Sequence, residues 1–140
     1  MQIREMDLKE LYAIYDVVKQ LHCELTYDDF ENLIYDMRHM EYKMFGILER
    51  GVLVTYAGVA VQTNLYHKRH LYIYDLVSDE KFRSQGYGKM MLEFLEDYAK
   101  TCMCEKLVLS SELQREQADT FYEKNGFNKT DVLLLNSLVI

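Results

Sequence analysis

Apolar residues follow a helical period in some parts of the chain and a strand-like pattern in others. Over residues 7–22 they recur at positions 8, 11, 12, 15 and 18, which predicts a helix. A second helix is predicted over residues 27–40, with Thr26 and Asp29 as its N-cap pair. Two further helices are predicted, one opening within residues 83–89 and one over 115–125 that ends at Gly126. Alternating or continuous apolar segments predict strands over residues 3–6, 43–49, 52–62, 70–78, 106–110 and 128–138.

The order of these elements predicts an α/β fold built on a mixed sheet. Arg50 and Gly51 lie between the second and third strands and are a hairpin signal. The later strands alternate with helices, as in βαβ crossovers, so helices should cover both faces of the sheet. The strand over residues 70–78 is apolar on both faces, with Ile73 and Val77 on the same one, and is therefore predicted to be central.

Composition and charge narrow the classes of partner. The 140 residues are predicted to form one domain, 1–140, with no apolar run near the length of a membrane span. A formal net charge of −7 disfavours nucleic acid and anionic membranes, and it suits a cationic partner such as an amine. The three cysteines, at positions 23, 102 and 104, lack metal-type spacing. They predict reduced thiols in a cytoplasmic protein, and no metal is expected.

The segment Arg83–Lys89 carries the strongest indication of chemistry. It follows the apolar strand and opens a helix, and it has glycines at positions 86 and 88. The first N–H groups of a helix have no partner within it, and the helix dipole adds positive charge there. Such a turn is suited to a phosphate or a pyrophosphate. The alternative is a tight turn in which the glycines only relieve steric strain, with Lys89 as a solvated side chain.

Two further features are candidates for chemistry. Asp75 interrupts the apolar strand, where a carboxylate is either a general base or a buried residue held by backbone and tyrosine donors. The pattern A-x-x-F-Y-x-x-x-G-F spans Ala118–Phe127 and places Phe121 and Tyr122 on a helix. By itself this aromatic spacing is typical of core packing.

The R-x-x-G-x-G segment and the A-x-x-F-Y-x-x-x-G-F segment together resemble the two signatures of the GCN5-related N-acetyltransferase (GNAT) family. The resemblance covers nearly the whole chain and implies the GNAT acyltransferase fold, with acetyl-CoA as cosubstrate. It implies that the Tyr122 hydroxyl points at the thioester sulfur and that Asp75 deprotonates the amine, directly or through water. A backbone N–H near Leu76 and Val77 would bind the thioester oxygen. The residues implied to bind acetyl-CoA are Leu76, Val77, Ser78, Arg83, Ser84, Gln85, Gly86, Tyr87, Gly88, Lys89, Arg115, Ala118 and Phe121.

Residues 70–77 and 113–118 also look like a small bacterial branch of this family that includes aminoalkylphosphonate N-acetyltransferases. The pattern of that branch often reads R-H-D-A-H-R-F-Y. This chain keeps Arg115 but has Glu116 and Asp119 in place of the two histidines. An acidic residue at position 119 favours a cation over a phosphonate.

The sequence therefore predicts an enzyme that transfers acetyl from acetyl-CoA to a primary amine of a small molecule, by direct attack in a ternary complex. Two alternatives stay open. A protein or peptide N-acetyltransferase would have an extended groove instead of a closed pocket, and a non-catalytic acyl-CoA sensor would need no base. The predicted strands are one fewer than in the longest family members, so a homodimer that pairs the C-terminal strands is also expected.

Overall fold

The computed structural model describes residues 1–110, 116–130 and 134–138, with residues 116–119 described by their backbone alone. It divides into two compact units, Met1–Leu109 and Ser110–Ile140. The strands β1 to β5 span Gln2–Glu5, Lys43–Glu49, Val52–Asn64, Lys68–Ser78 and Lys106–Leu109. The helices α1 to α4 span Leu11–Val18, Tyr27–Met37, Tyr87–Thr101 and Glu116–Lys124. None of these described helices is both long enough and apolar enough to cross a membrane.

The five strands form one sheet in the order β1-β2-β3-β4-β5. All neighbouring pairs are antiparallel except β4 and β5, which are parallel. The predicted hairpin between β2 and β3 is confirmed, with Arg50 and Gly51 at φ of 50° and 79°. β4 lies between two other strands, as its apolar character on both faces predicted. The mixed α/β sheet is thereby confirmed.

The side chains of β2 show how the two faces of the sheet are covered. Consecutive residues of a strand point to opposite faces. Met44 belongs to a core cluster that also contains Ile14 of α1 and Ile34 of α2. The next residue, Phe45, packs its ring against Phe94 of α3, with the centroids 5.0 Å apart. Helices therefore lie on both faces of the sheet, as predicted.

The first helix is shorter than the predicted range of 7–22. One 3-10 turn, Leu8–Glu10, precedes α1, and the helix ends at Val18. The N–H of Lys19 still bonds four residues back, but those of Gln20 and Leu21 bond to carbonyls three residues back, which tightens the chain and ends the helix. The predicted cap of α2 is confirmed, because the Thr26 hydroxyl accepts from the Asp29 N–H at 3.1 Å.

β4 contains a bulge at Tyr74. Gly58 of β3 pairs with Asp75, whereas the next β3 residue pairs with Ile73, so Tyr74 is the extra residue. A bulge shifts the inward and outward alternation of the residues that follow it. Val77 accordingly joins the core cluster beneath α1 and α2, and Ile73 does not. The prediction that these two residues share one face is therefore wrong.

The second unit is described around α4. Gly126 has a φ of 94°, and the Phe127 N–H donates to the carbonyl of Tyr122 at 3.0 Å, which ends the helix as predicted. The strand predicted over residues 128–138 is wrong for the part described, since residues 128–130 and 134–138 contain no strand. Leu134, Leu135 and Leu138 are exposed there. An apolar pattern forms a strand only where neighbouring strands pair with it and its apolar face is buried.

Candidate functional site

A cavity of about 520 Å³ lies between the sheet and the helices α1 and α2, within the first unit. Its walls are apolar side chains from α1, the turn that follows it and α2: Val18, Leu21, Leu25, Phe30, Ile34 and Met37. The sheet side of the cavity is formed by Tyr42, Tyr56 and Asp75. Three exposed lining residues mark its mouth: Cys23, Glu24 and Leu33. The volume is within the range typical of small-molecule sites.

His22 and Asp75 form a hydrogen-bonded pair in this cavity. Nε2 of His22 lies 2.5 Å from Oδ1 of Asp75, and the two side chains are 24% and 18% exposed. The hydrogen bond to Asp75 raises the pKa of His22 above its ordinary value of 6.5, although partial burial acts in the opposite direction. The imidazole can therefore bind and release a proton, and the carboxylate beside it favours the protonated form.

Two tyrosine hydroxyl groups lie on the sheet side of the cavity beside this pair. The hydroxyl oxygens of Tyr42 and Tyr56 are 2.6 Å apart, and both residues are buried. Burial raises the pKa of each phenol, and the negative charge of Asp75 raises both further. Tyr74 packs edge-on against Tyr42, with ring centroids 5.6 Å apart. This side of the cavity is therefore aromatic and uncharged except at Asp75.

The parallel strands β4 and β5 are paired over only part of their length. Residues 70–73 of β4 pair with residues 106–109 of β5. β4 continues to Ser78, and on this edge it has no strand partner in the described part of the chain. The bulge at Tyr74 lies at the point where the pairing stops. The unpaired stretch contains Leu76, Val77 and Ser78, which were predicted to bind acetyl-CoA, with a backbone N–H near Leu76 and Val77 at the thioester oxygen.

The segment Arg83–Lys89 forms the turn into α3. Ser84 and Gly86 have positive φ angles of 64° and 87°, and no side chain caps the helix. The N–H groups of residues 87–89 therefore have no partner within the helix. Nε of Arg83 donates to the carbonyl of Ser78 at 3.2 Å, which joins the turn to the end of β4. A Cβ at Gly86 would have no neighbouring atom within 4 Å, so the outer side of the turn is open to a ligand.

Tyr122 lies on α4, in the second unit. Its side chain is buried, and its ring is in edge contact with those of Phe121 and Phe127, with centroids 5.3 and 5.5 Å apart. These contacts agree with the packing interpretation, and the role at the thioester sulfur stays a prediction. Ala118 is in α4, and Arg115 lies outside the described residues.

His22 is the candidate residue that the sequence analysis missed. It lies in the turn after α1 and belongs to no motif. Its partner Asp75 is 53 positions away in the chain, so only the fold brings the two together. No group of three or more histidine, cysteine or acidic side chains in the described residues could hold a metal ion.

Comparison with known proteins identifies the family of this chain. Residues 6–127 match the Acetyltransferase (GNAT) family. The chain is 31% identical to the uncharacterized N-acetyltransferase YhdJ of Bacillus subtilis over 128 residues, which are 89% of this chain and 90% of that protein. Over 61 residues it is 34% identical to glucosamine 6-phosphate N-acetyltransferase of Arabidopsis thaliana, covering 44% of this chain and 39% of that protein. The resemblance to the aminoalkylphosphonate branch stays a prediction.

Solved structures share the fold. An acetyltransferase of Trypanosoma brucei has a TM-score of 0.77 at 22% identity, covering 98% of this chain and 99% of its own. The aminoglycoside N-acetyltransferase AAC(6')-Iy in complex with CoA has a TM-score of 0.82 at 14% identity, covering 98% and 93%. At these identities the likeness concerns the fold alone. Because the family match and the Bacillus subtilis relative each cover most of the sequence, the chain belongs to the GNAT family of acetyltransferases.

Proposed function

We propose that this protein transfers acetyl from acetyl-CoA to a primary amine of a small molecule by direct attack in a ternary complex. The observation that carries the proposal is the His22–Asp75 pair, which lies in a cavity of small-molecule size. The strand that bears Asp75 leads to the glycine-containing turn at residues 83–89. A proton acceptor and an anion-binding turn are thus attached to the same strand.

Acetyl-CoA is the cosubstrate that this arrangement fits. The N–H groups at the start of α3 have no side-chain cap, so they can bind a pyrophosphate. The outer side of Gly86 is open, which leaves room for this group. The neighbouring residues assigned to the same site are Ser84, Gln85, Tyr87 and Gly88. Lys89 is exposed on the first turn of the helix and adds a positive charge there. The unpaired edge of β4 at residues 74–78 offers backbone groups to the pantetheine arm. The related fold of AAC(6')-Iy contains CoA, which supports this assignment.

The amine has to lose a proton before it can attack. An alkylamine with a pKa near 10 is only about 0.1% free base at neutral pH, by analogy with lysine. We assign proton removal to the His22–Asp75 pair, with Asp75 orienting the imidazole and stabilising its charged form. A positioned base of this kind contributes about 10²–10⁴-fold to the rate. The sequence prediction that Asp75 is the base is thereby extended to a pair of residues.

The thioester end needs a donor for the carbonyl oxygen and a departing thiolate. A backbone N–H at Leu76 or Val77 is assigned to the oxygen, in the manner of an oxyanion hole. The leaving thiol has a pKa of about 8.5 by analogy with cysteine, so it departs without full protonation. Tyr122 is assigned to hold the sulfur by a hydrogen bond. The resemblance to the family also assigns Arg115, Ala118 and Phe121 to the binding of CoA.

A small-molecule acceptor is favoured over a peptide because the cavity has walls on the α1, α2 and sheet sides. An extended peptide requires a groove that is open at both ends. The His22–Asp75 pair also argues against a sensor that only binds acyl-CoA, because binding needs no base. Three free cysteines are in keeping with a cytoplasmic location, which is part of the proposal.

The test is the release of CoA from acetyl-CoA in the presence of a panel of amines, detected by chromatography so that the protein thiols do not interfere. Release that depends on an amine, and that His22→Gln lowers by at least about tenfold, is the expected result. Exposed Asp16, paired with Lys19 on the outer side of α1, supplies the control Asp16→Asn. Tight acetyl-CoA binding without release to any amine would favour the sensor alternative.

A homodimer is also proposed, on the basis of Leu134, Leu135 and Leu138, which are 90%, 77% and 83% exposed. Exposed apolar side chains that join into one patch mark an interface with a partner, and these three lie within five residues of each other. Light scattering coupled to size exclusion should give twice the monomer mass of 16.7 kDa. A single species at the monomer mass would remove the dimer from the proposal.

A further inference from the structure

We infer that the acceptor is a primary amine carried on an apolar body, an alkyl or arylalkyl group, in contrast to an amino sugar, an aminophosphate or an aminoglycoside. The inference rests on the proposed function, since it names the class of amine that the cavity beside His22 and Asp75 would take.

The lining of the cavity is the first reason. Of the thirteen described residues that line it, nine have aliphatic, thioether, phenyl or phenol side chains. The apolar ones include Phe30 and Ile34, each 3% exposed, so the walls offer few hydrogen-bonding groups in their interior. The hydrogen-bonding groups lie on the sheet side and at His22, so a sugar hydroxyl placed along the α1 and α2 walls loses its water without finding a partner. An alkyl chain instead gains about fourfold in binding for each methylene buried.

The distribution of charge is the second reason. Among the residues that the structure describes, no lysine and no arginine lines the cavity, and a phosphate or phosphonate is usually held by such cations. Two carboxylates line the cavity, Glu24 near its mouth and Asp75 on the sheet side. They attract an ammonium ion and repel a substrate that carries a phosphate.

The positions of these groups also give the orientation of the ligand. The amino group must reach His22 and Asp75, because the proton is removed there. The apolar body then lies along the side chains of α1 and α2 and points toward the mouth. Leu33, on the mouth, is 48% exposed although it is a large apolar residue of α2. The far end of a long enough chain would cover it.

The first experiment measures kcat/KM for propylamine, butylamine, pentylamine, hexylamine and 2-phenylethylamine, beside glucosamine-6-phosphate and 2-aminoethylphosphonate. The four alkylamines have nearly equal pKa values, so their ionisation does not differ. We expect kcat/KM to rise by about fourfold per methylene, or roughly 60-fold from propylamine to hexylamine. The two phosphorus-containing amines should be poorer than any of them. A flat series, or a preference for either phosphorus-containing amine, would overturn the inference and leave acetyl transfer intact.

A pair of variants assigns the effect to the cavity. Leu33→Gln keeps the size of the side chain and removes apolar surface at the mouth, so the ratio of hexylamine to propylamine should fall by at least about threefold. Leu65→Gln is the control, because Leu65 is fully exposed at the β3–β4 hairpin and lies outside the cavity lining. An unchanged ratio in Leu33→Gln would contradict the proposed orientation.

A binding measurement separates failure of the inference from failure of the proposed function. The same amines are titrated without acetyl-CoA, and the shift in Tm is recorded. Chain-length-dependent stabilisation without acetyl transfer would support the ligand class and refute the proposed function. Transfer to amines without any dependence on chain length, in rate or in Tm, would refute the ligand class alone.

Discussion

The ring of Tyr42 covers Gly58, and no side chain larger than hydrogen fits between them. A Cβ at Gly58 would overlap the hydroxyl oxygen and ring carbons of Tyr42. Gly58 is also the β3 partner of Asp75. Glycine at this position therefore allows Tyr42, with Tyr56 hydrogen-bonded to it, to lie directly against the strand pair that carries Asp75.

Gly58→Ala should lower the free energy of unfolding by about 1–3 kcal/mol, because the added methyl displaces a buried tyrosine ring. Urea titration followed by circular dichroism measures this change. The same substitution in a Tyr42→Leu background should cost less, since the ring that it displaces is absent. Equal costs in the two backgrounds would show that the contact with Tyr42 is not the cause.

The strands β1 to β5 were predictable from the sequence, but the bulge within β4 was not. β2 and β3 are runs bounded by a hairpin signal at Arg50 and Gly51, and local chemistry determines both. The bulge at Tyr74 has no such signal. Ile73 and Val77 fit an unbroken alternation, and only the pairing with β3 reveals the extra residue. The face on which Asp75 lies was therefore decided by tertiary pairing.

The sequence predicted the turn at residues 83–89 of the candidate site, but it did not predict the His22 side chain. The turn at residues 83–89 has glycine spacing that is visible in the sequence, and the structure gives Gly86 the positive φ expected of such a turn. His22 was invisible because it follows α1 in an irregular turn. The early end of α1 at Val18 brings that turn to the cavity, whereas the helix predicted from the sequence ran on to residue 22.

The pH dependence of acetyl transfer tests the His22–Asp75 pair. His22 accepts a proton only when neutral, and Asp75 raises its pKa above 6.5. The acidic limb of kcat/KM should therefore have a midpoint above 6.5. Asp75→Asn removes the charge that raises this pKa, so the midpoint should shift to lower pH while the maximum falls. Tyr42 and Tyr56, which also interact with Asp75, stay protonated over this range because burial raises their pKa values.

The control for this profile is Asp16→Asn, on a side chain that is 70% exposed and paired with Lys19. Its pH profile should overlay that of the unaltered protein. If the Asp75→Asn profile kept the midpoint of the unaltered protein, the ionisation would belong to another group and the pair would not be the base.

The same pair contributes to stability in a defined pH window. Because the folded-state pKa of His22 is raised, its stabilisation is fully present below about 6.5 and is lost as pH rises through the folded value. Asp75→Asn should therefore cost about 1–2 kcal/mol at about pH 6 and less at about pH 9. Urea titrations at the two pH values measure the difference. With His22→Gln as background, the cost of Asp75→Asn should no longer depend on pH, and a dependence that persisted would exclude His22 as its source.

Tyr122→Phe tests the role assigned to the hydroxyl on α4. If this hydroxyl holds the thiolate by one hydrogen bond, its loss should lower kcat by about 10- to 100-fold. The Kd for acetyl-CoA should change little. Tyr66→Phe, at an exposed position in the β3–β4 turn, is the matched control. An unchanged kcat in Tyr122→Phe would leave this tyrosine a packing residue, as its contacts with Phe121 and Phe127 allow.

Gly86→Glu tests the anion-binding turn. Gly86 and Gly51 have similar positive φ angles, 87° and 79°, and neither would bring a Cβ within 4 Å of another atom. Glutamate at either position therefore introduces the same backbone strain and the same charge. Only position 86 adjoins the uncapped N–H groups of α3, where the carboxylate would repel the pyrophosphate. We expect Gly86→Glu to weaken CoA binding by more than about 100-fold in calorimetry. Gly51→Glu should lower the Tm by about as much as Gly86→Glu does, but its affinity for CoA should be unchanged. Equal CoA affinity in the two variants would show that the pyrophosphate does not bind at this turn.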